Sequence, residues 1–187
     1  MLSTHLDVDT ELVARALLRA LASHGPRTPT LKTVAAEAHA GTSSVHRWLG
    51  GKDSIPRVIE GCAALSWRRL SDNVAVDGWA GYLPSNADGV YWLRGWLAVE
   101  AIARSEAGCV QTVRDFWAEV SHWMNSMRRD PLPSDELRRR EVLLRGLWSW
   151  IGSFDPERDA AELRETLARA HELWALATRP GAAASAA

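Results

Sequence analysis

Between Thr42 and Arg47 the chain sets three hydroxyls, an imidazole and a guanidinium close together: Thr42, Ser43, Ser44, His46 and Arg47. This set donates and accepts hydrogen bonds and carries one fixed charge. It holds no nucleophile paired with a base. Small hydroxyls at the start of a helix permit close approach to a base edge, and the N–H groups there favour phosphate. An arginine on the same helix reaches guanine or a phosphate. The six histidines (His5, His24, His39, His46, His122 and His171) are scattered, and His122 and His171 stand apart from any partner at helix spacing. Metal binding needs clustered ligands, and nucleophilic catalysis needs a nucleophile and base in reach of each other. The expectation is therefore no enzyme, no catalytic residue, no metal and no cofactor. The two cysteines, Cys62 and Cys109, form no C-x-x-C pair. They read as reduced thiols of a cytoplasmic protein.

These residues need elements to position them, and the 3.6-residue period dominates the chain, so the expected fold is all-α. A first helix runs from about Asp9 to His24, capped by Asp9 or Thr10 and stopped by Gly25-Pro26. Leu12, Val13, Ala16, Leu17, Ala20 and Leu21 form its apolar stripe. Thr30 opens a short helix to about Ala38, and a break at His39-Ala40-Gly41 leads to a third helix, about Thr42 to Leu49. Two short helices across a tight break are the geometry in which the second enters a major groove. A long helix follows, from Asp53 or Ser54 to about Val74, with Pro56 in its first turn. Residues 77–88 read as a loop. Further helices span about Asp88 to Ser105, a stretch beginning near Cys109, one capped by Ser134, and one beginning at Pro156 behind an Asp155 cap. The expected division is a DNA-binding domain over 1–53, a helical bundle over 54–179 and a tail over 180–187.

Charge sets a limit. The chain has 187 residues and a formal net charge of −1. Residues 1–56 hold six Lys or Arg against five Asp or Glu. Any nucleic-acid contact must come from a local patch. No apolar run approaches the ~20 residues of a membrane span, and the first residues do not read as a signal peptide. A cytoplasmic protein with no membrane partner is expected.

The order of residues from Thr30 to Ile55 resembles the TetR family of transcriptional repressors. The resemblance rests on a threonine opening the second helix, the hydrophobe-alanine pair Val34-Ala35, and Ala38 before the turn. It continues with the small-residue third helix, the aromatic Trp48 and the lysine-acid pair Lys52-Asp53. It covers about residues 9–59. The sequence departs from the pattern where His39 replaces a turn glycine, Gly41 a helix-opening serine, and His46 a phosphate-anchoring tyrosine. The resemblance implies DNA contacts from Thr30, Thr42, Ser43, Ser44, His46, Arg47 and Lys52. Each also has a plainer reading: Thr30 as a helix cap, His46 packed over the turn, Lys52 as a solvated helix start.

The resemblance further implies a C-terminal helical bundle that binds a small-molecule effector and forms a homodimer on a palindromic double-stranded operator. Residues 57–178 carry nine of the ten tryptophans. Trp67, Leu70, Trp92, Trp96, Val113, Phe116, Trp117 and Trp123 are the candidate lining of an apolar effector cavity, with packed core as the competing reading. Leu144, Trp148, Ile151, Leu163, Leu167 and Trp174, on the last two helices, are the candidate dimer face. The run Arg138-Arg139-Arg140 sits among acids and reads as a solvated, ion-paired face. The expected function is a ligand-responsive repressor. The alternative is an interaction module that kept the fold with weakened DNA binding.

Overall fold

The computed structural model describes residues 7–24, 30–49, 54–106, 108–128 and 130–179, except the side chains of Trp48, Leu49 and Ser54. Every regular element in it is helical: α1 (Val8–His24), α2 (Leu31–Glu37), α3 (Thr42–Leu49), α4 (Ser54–Asp77), a 3₁₀ turn (Gly78–Tyr82), α5 (Ala87–Ser105), α6 (Val110–Ser126), α7 (Ser134–Gly152) and α8 (Ala160–Thr178). The all-α expectation holds for the described residues. No helix among them is long and apolar enough to cross a membrane. The chain forms two compact units, residues 1–69 with 91–116, and residues 70–90 with 117–187. The expected stop at Gly25-Pro26, the pair Lys52-Asp53 and the tail 180–187 lie outside the described residues.

In the first unit, α1 begins at Val8, earlier than the Asp9 or Thr10 cap implied. Asp7 is the cap: its Oδ1 accepts from the Thr10 amide at 2.8 Å, and its Oδ2 from the Thr10 hydroxyl at 2.9 Å. Those bonds, with the Arg57 guanidinium paired to the same carboxylate, hold Asp7 below the usual carboxylate range. Val13, Ala16, Ala20 and Leu21 are buried as the period requires, and Ala14 and Leu18 join them. Helix α1 is thus covered on more than one side. Two glycines allow that closeness. A Cβ on Gly61 of α4 would stand 3.0 Å from the Ala14 methyl, and one on Gly95 of α5 would stand 2.4 Å from the Leu18 carbonyl oxygen. Tyr91 donates to the Arg19 carbonyl at 3.1 Å, at the exposed end of the same packing. Cys62 and Cys109 are buried free thiols, and burial pushes both up from their ordinary pKa.

In the second unit, the segment read as a loop over 77–88 holds the 3₁₀ turn, and its residues 81–84 are buried. Gly81 sits so close to α4 that a Cβ there would meet the Asn73 carbonyl oxygen at 2.4 Å. Three ring nitrogens from α7 and α8 hold the segment by its carbonyls. Trp148 Nε1 donates to Tyr82 O at 2.7 Å, Trp174 Nε1 to Trp79 O at 2.6 Å, and His171 Nε2 to Pro84 O at 3.1 Å. Buried indoles need an acceptor for the N–H. A stretch with spare carbonyls supplies it, so lack of helical period did not mean lack of structure. Two caps also differ from expectation. Pro133, not Ser134, occupies the cap position of α7. Asp155 accepts from the Glu157 and Arg158 amides at 3.0 and 3.3 Å, but that turn ends and α8 starts afresh at Ala160.

Candidate nucleic-acid interface

The unit α2–turn–α3 is assembled by backbone bonds that can be accounted for one by one. Thr30 Oγ1 accepts from the Thr33 amide at 3.2 Å and caps α2. The helix ends in a paired motif. His39 N donates to Ala36 O at 3.1 Å, and Ala40 N to Ala35 O at 3.0 Å. This crossed pair requires a left-handed residue between, the place usually held by glycine. Here His39 takes it, at φ +50°. Gly41 then opens α3, its carbonyl accepting from the Ser44 and Val45 amides at 3.0 and 3.1 Å.

Among the described side chains of α3, Val45 is buried and fully inaccessible. Thr42, Ser43, His46 and Arg47 are exposed, and Ser44 is half-buried. These four exposed residues are two i, i+4 pairs side by side, so they share the outer face. The structure therefore brings together four of the seven expected DNA contacts. Ser44 lies at the edge of that face. Thr30 is exposed too, but its hydroxyl is engaged with Thr33, as amide acceptor and through the Thr33 hydroxyl at 2.9 Å. Lys52 lies outside the described residues.

Arg47 has a neighbourhood the residue pattern did not reveal. It lines a recess of about 470 Å³ with Asp7, Asp9, Thr10 and Arg57. Arg57 is paired with Asp7. Sequence reasoning missed Arg57 as part of this site. The available signal was its position just after Pro56, in the first turns of the helix that follows α3. The acids of the α1 entrance thus share a recess with the best candidate cation of α3.

The other expected sites are placed differently. Of the candidate effector lining, Trp67, Trp92, Trp96, Val113 and Phe116 belong to the first unit, and Leu70, Trp117 and Trp123 to the second. The rings of Trp96 and Phe116 lie 4.1 Å apart, and Trp67 stands edge-on to Phe116 at 6.4 Å. Arg69 covers the Trp92 ring at 5.0 Å. Trp117 packs on Trp148 at 5.1 Å and under Arg145 at 4.0 Å. Inside this packing the Trp96 Nε1 is buried without a hydrogen-bond partner among the described residues.

Leu144, Trp148, Ile151, Leu163, Leu167 and Trp174, expected on a dimer face, are all buried inside the single chain. An apolar stripe identifies the buried side of a helix and not what buries it. The large apolar residues exposed on α7 and α8 are instead Val142 (63% exposed), Trp150 (38%) and Leu176 (52%). Of the arginine run, Arg139 is solvated and pairs with Asp135 at 2.8 Å. Arg140 departs from that reading. It is only 4% exposed, bonded to Glu136 at 2.8 Å and laid over Trp79 at 5.3 Å.

Among the described residues no group of three or more His, Cys, Asp or Glu is arranged to hold a metal ion. No protein-family model matches the chain, and neither does any curated protein or solved structure.

Proposed function

We propose that α2–turn–α3 is a helix-turn-helix and that the chain is a transcriptional regulator, acting as a repressor, that binds double-stranded DNA through α3. The observation that carries this reading is the outer face of α3. Val45 is buried, while Thr42, Ser43, His46 and Arg47 are exposed beyond a turn closed by backbone hydrogen bonds. Short hydroxyls beside an arginine at a helix start suit a major groove. A homodimer would present two such helices ~34 Å apart to a palindromic operator. A small apolar or aromatic effector would release the DNA by favouring another dimer state, which requires unequal affinity for the two. Helix α4 contributes residues to both compact units and is the natural link between effector and DNA.

The test is a mobility shift with the DNA upstream of the protein's own gene at low salt, where phosphate attraction is strongest. A retarded band that competitor of unrelated sequence fails to remove supports the reading. No retardation refutes it. Arg47→Ala is expected to weaken binding by about 1–3 kcal/mol.

A second reading has one observation in its favour. Asp7 and Asp9 share the recess of Arg47 and oppose its charge toward an incoming phosphate. An interaction module that kept this fold with weakened DNA binding accounts for that placement. A specific but salt-sensitive shift excludes it.

A further inference from the structure

Three helices of the first unit bring opposite charges to the recess beside α3. Arg47 comes from the last turn of α3 and Arg57 from near the start of α4, while Asp7 and Asp9 come from the start of α1. Two cations and two acids leave the recess with no formal charge. An arginine so placed meets a phosphate only against the pull of its own carboxylate.

Asp7 is a fixed acid. Its two oxygens accept from the Thr10 amide and the Thr10 hydroxyl. Thr10 is itself buried against α4, where a Cβ on Gly61 would stand 3.2 Å from its methyl. Gly61 and Arg57 lie four residues apart on α4 and share a face. The helix contact that seats Thr10 on Gly61 therefore also sets Asp7 against Arg57, one turn along. The Thr10 bonds lower the Asp7 pKa, so the carboxylate stays charged near neutrality. Arg57 is the mobile partner. Its side chain is 63% exposed on a flexible stem, and an exposed pair of this kind is weak. The guanidinium is free to leave for a phosphate, with which it forms a charge-assisted and bidentate contact. Asp7 stays behind.

From the geometry we infer that Arg57 is a phosphate-binding residue for the DNA backbone beside α3, and that Asp7 is its built-in competitor, holding the guanidinium until a phosphate displaces it. Asp9, exposed in the same recess, opposes the phosphate by charge alone. The inference rests on the DNA-binding reading and gives the acids of α1 a role within it. They weaken the phosphate contacts common to every sequence, so that retention on DNA depends on what α3 adds.

The test is fluorescence anisotropy of the full chain with two labelled duplexes, one of random sequence and one from upstream of its own gene, over a range of salt. Asp7→Asn keeps a side-chain oxygen for the Thr10 amide and removes the charge. It is expected to tighten binding to the random duplex about threefold to tenfold at low salt. The salt slope steepens by about one phosphate, and the gain shrinks as salt rises. Arg57→Gln weakens binding and removes most of the Asp7→Asn gain in the double variant. Asp9→Asn, which touches no Thr10 bond, tightens binding about twofold to threefold, and Arg57→Gln leaves that gain in place. Circular dichroism checks that each variant keeps its helix content. No gain in either Asn variant overturns the inference, as does an Arg57→Gln protein with unchanged affinity and salt slope. A full Asp7→Asn gain in the Arg57→Gln background overturns the competition for Arg57. Gains on the random duplex by a protein with no preference for upstream DNA support the competitor and remove the sequence-reading role. A preference for upstream DNA with no gain in either variant does the reverse.

Discussion

His39→Gly is expected to stabilise the protein, although it removes a side chain and adds freedom to the unfolded chain. The residue sits at φ +50° between two crossed backbone bonds, His39 N to Ala36 O and Ala40 N to Ala35 O. A left-handed backbone costs an ordinary L-residue roughly 1–2 kcal/mol, less for those with short polar side chains. Glycine removes that strain but loses about 0.5–1 kcal/mol through the greater entropy of its unfolded state. His39 is exposed, so little packing is lost. The net is a gain of about 0.5–1 kcal/mol, or a rise in Tm of about 1–4 °C for a chain of this size. Ala36→Gly supplies the control. It lies three residues earlier on the exposed side of α2, where glycine should destabilise by about 1 kcal/mol. Urea midpoints for the three proteins measure both effects. Two glycines of opposite sign support the turn geometry. A loss in both refutes it, because His39 would then not carry left-handed strain.

Gly95→Ala should destabilise by about 1–3 kcal/mol by overpacking, since its Cβ would stand 2.4 Å from Leu18 O, whereas Gly146→Ala, with open space around it, should stabilise by about 0.5–1 kcal/mol; thermal melts distinguish them. Glu136→Ala strands the buried Arg140 cation and should cost about 3 kcal/mol, much of it recovered on adding Arg140→Met; denaturant midpoints of the single and double variants give the coupling. Asp7 has a lowered pKa, so its contribution is present above its unfolded pKa of about 3.9 and fades as pH falls through the folded value. Asp7→Asn should therefore be less stable than wild type near neutrality and equal to it in strong acid, a difference read from unfolding midpoints across pH. Cys62 is fully buried with its thiol pushed up, so it should resist a thiol reagent at neutral pH until the chain is unfolded.

The legible parts of this chain are those governed by neighbours in sequence. Thr30 caps α2 as its type and position require, and Val34 and Ala35 are buried where the period places them. The residue after Ala38 turns left-handed even though it is histidine, because the crossed bonds of the helix end dictate the backbone there. What was not legible depends on partners distant in sequence. Residues 78–84 carry no helical period, yet indoles from α7 and α8 tie them down. Arg140 looks like its neighbour Arg139, and only the face of Trp79 distinguishes the buried cation from the solvated one. Leu144 and Trp174 show an apolar stripe whether it meets a second chain or their own. The same limit applies to the side of α3 proposed to face DNA. Residue types put Arg47 on the outer face of α3, but the acids of α1 that share its recess come from about forty residues earlier.

The most direct test of the proposed DNA-reading role adds one charge to the α3 face without harming the fold. Ser43 is exposed in the first turn of α3, where an acid is favourable to the helix. Fluorescence anisotropy of labelled upstream DNA, titrated with wild type and Ser43→Glu over a range of salt, reports both affinity and its electrostatic share. The account expects wild-type binding that weakens as salt rises, and a loss of at least about tenfold in Ser43→Glu with its thermal stability preserved. Equal affinity of the two proteins for that DNA contradicts it.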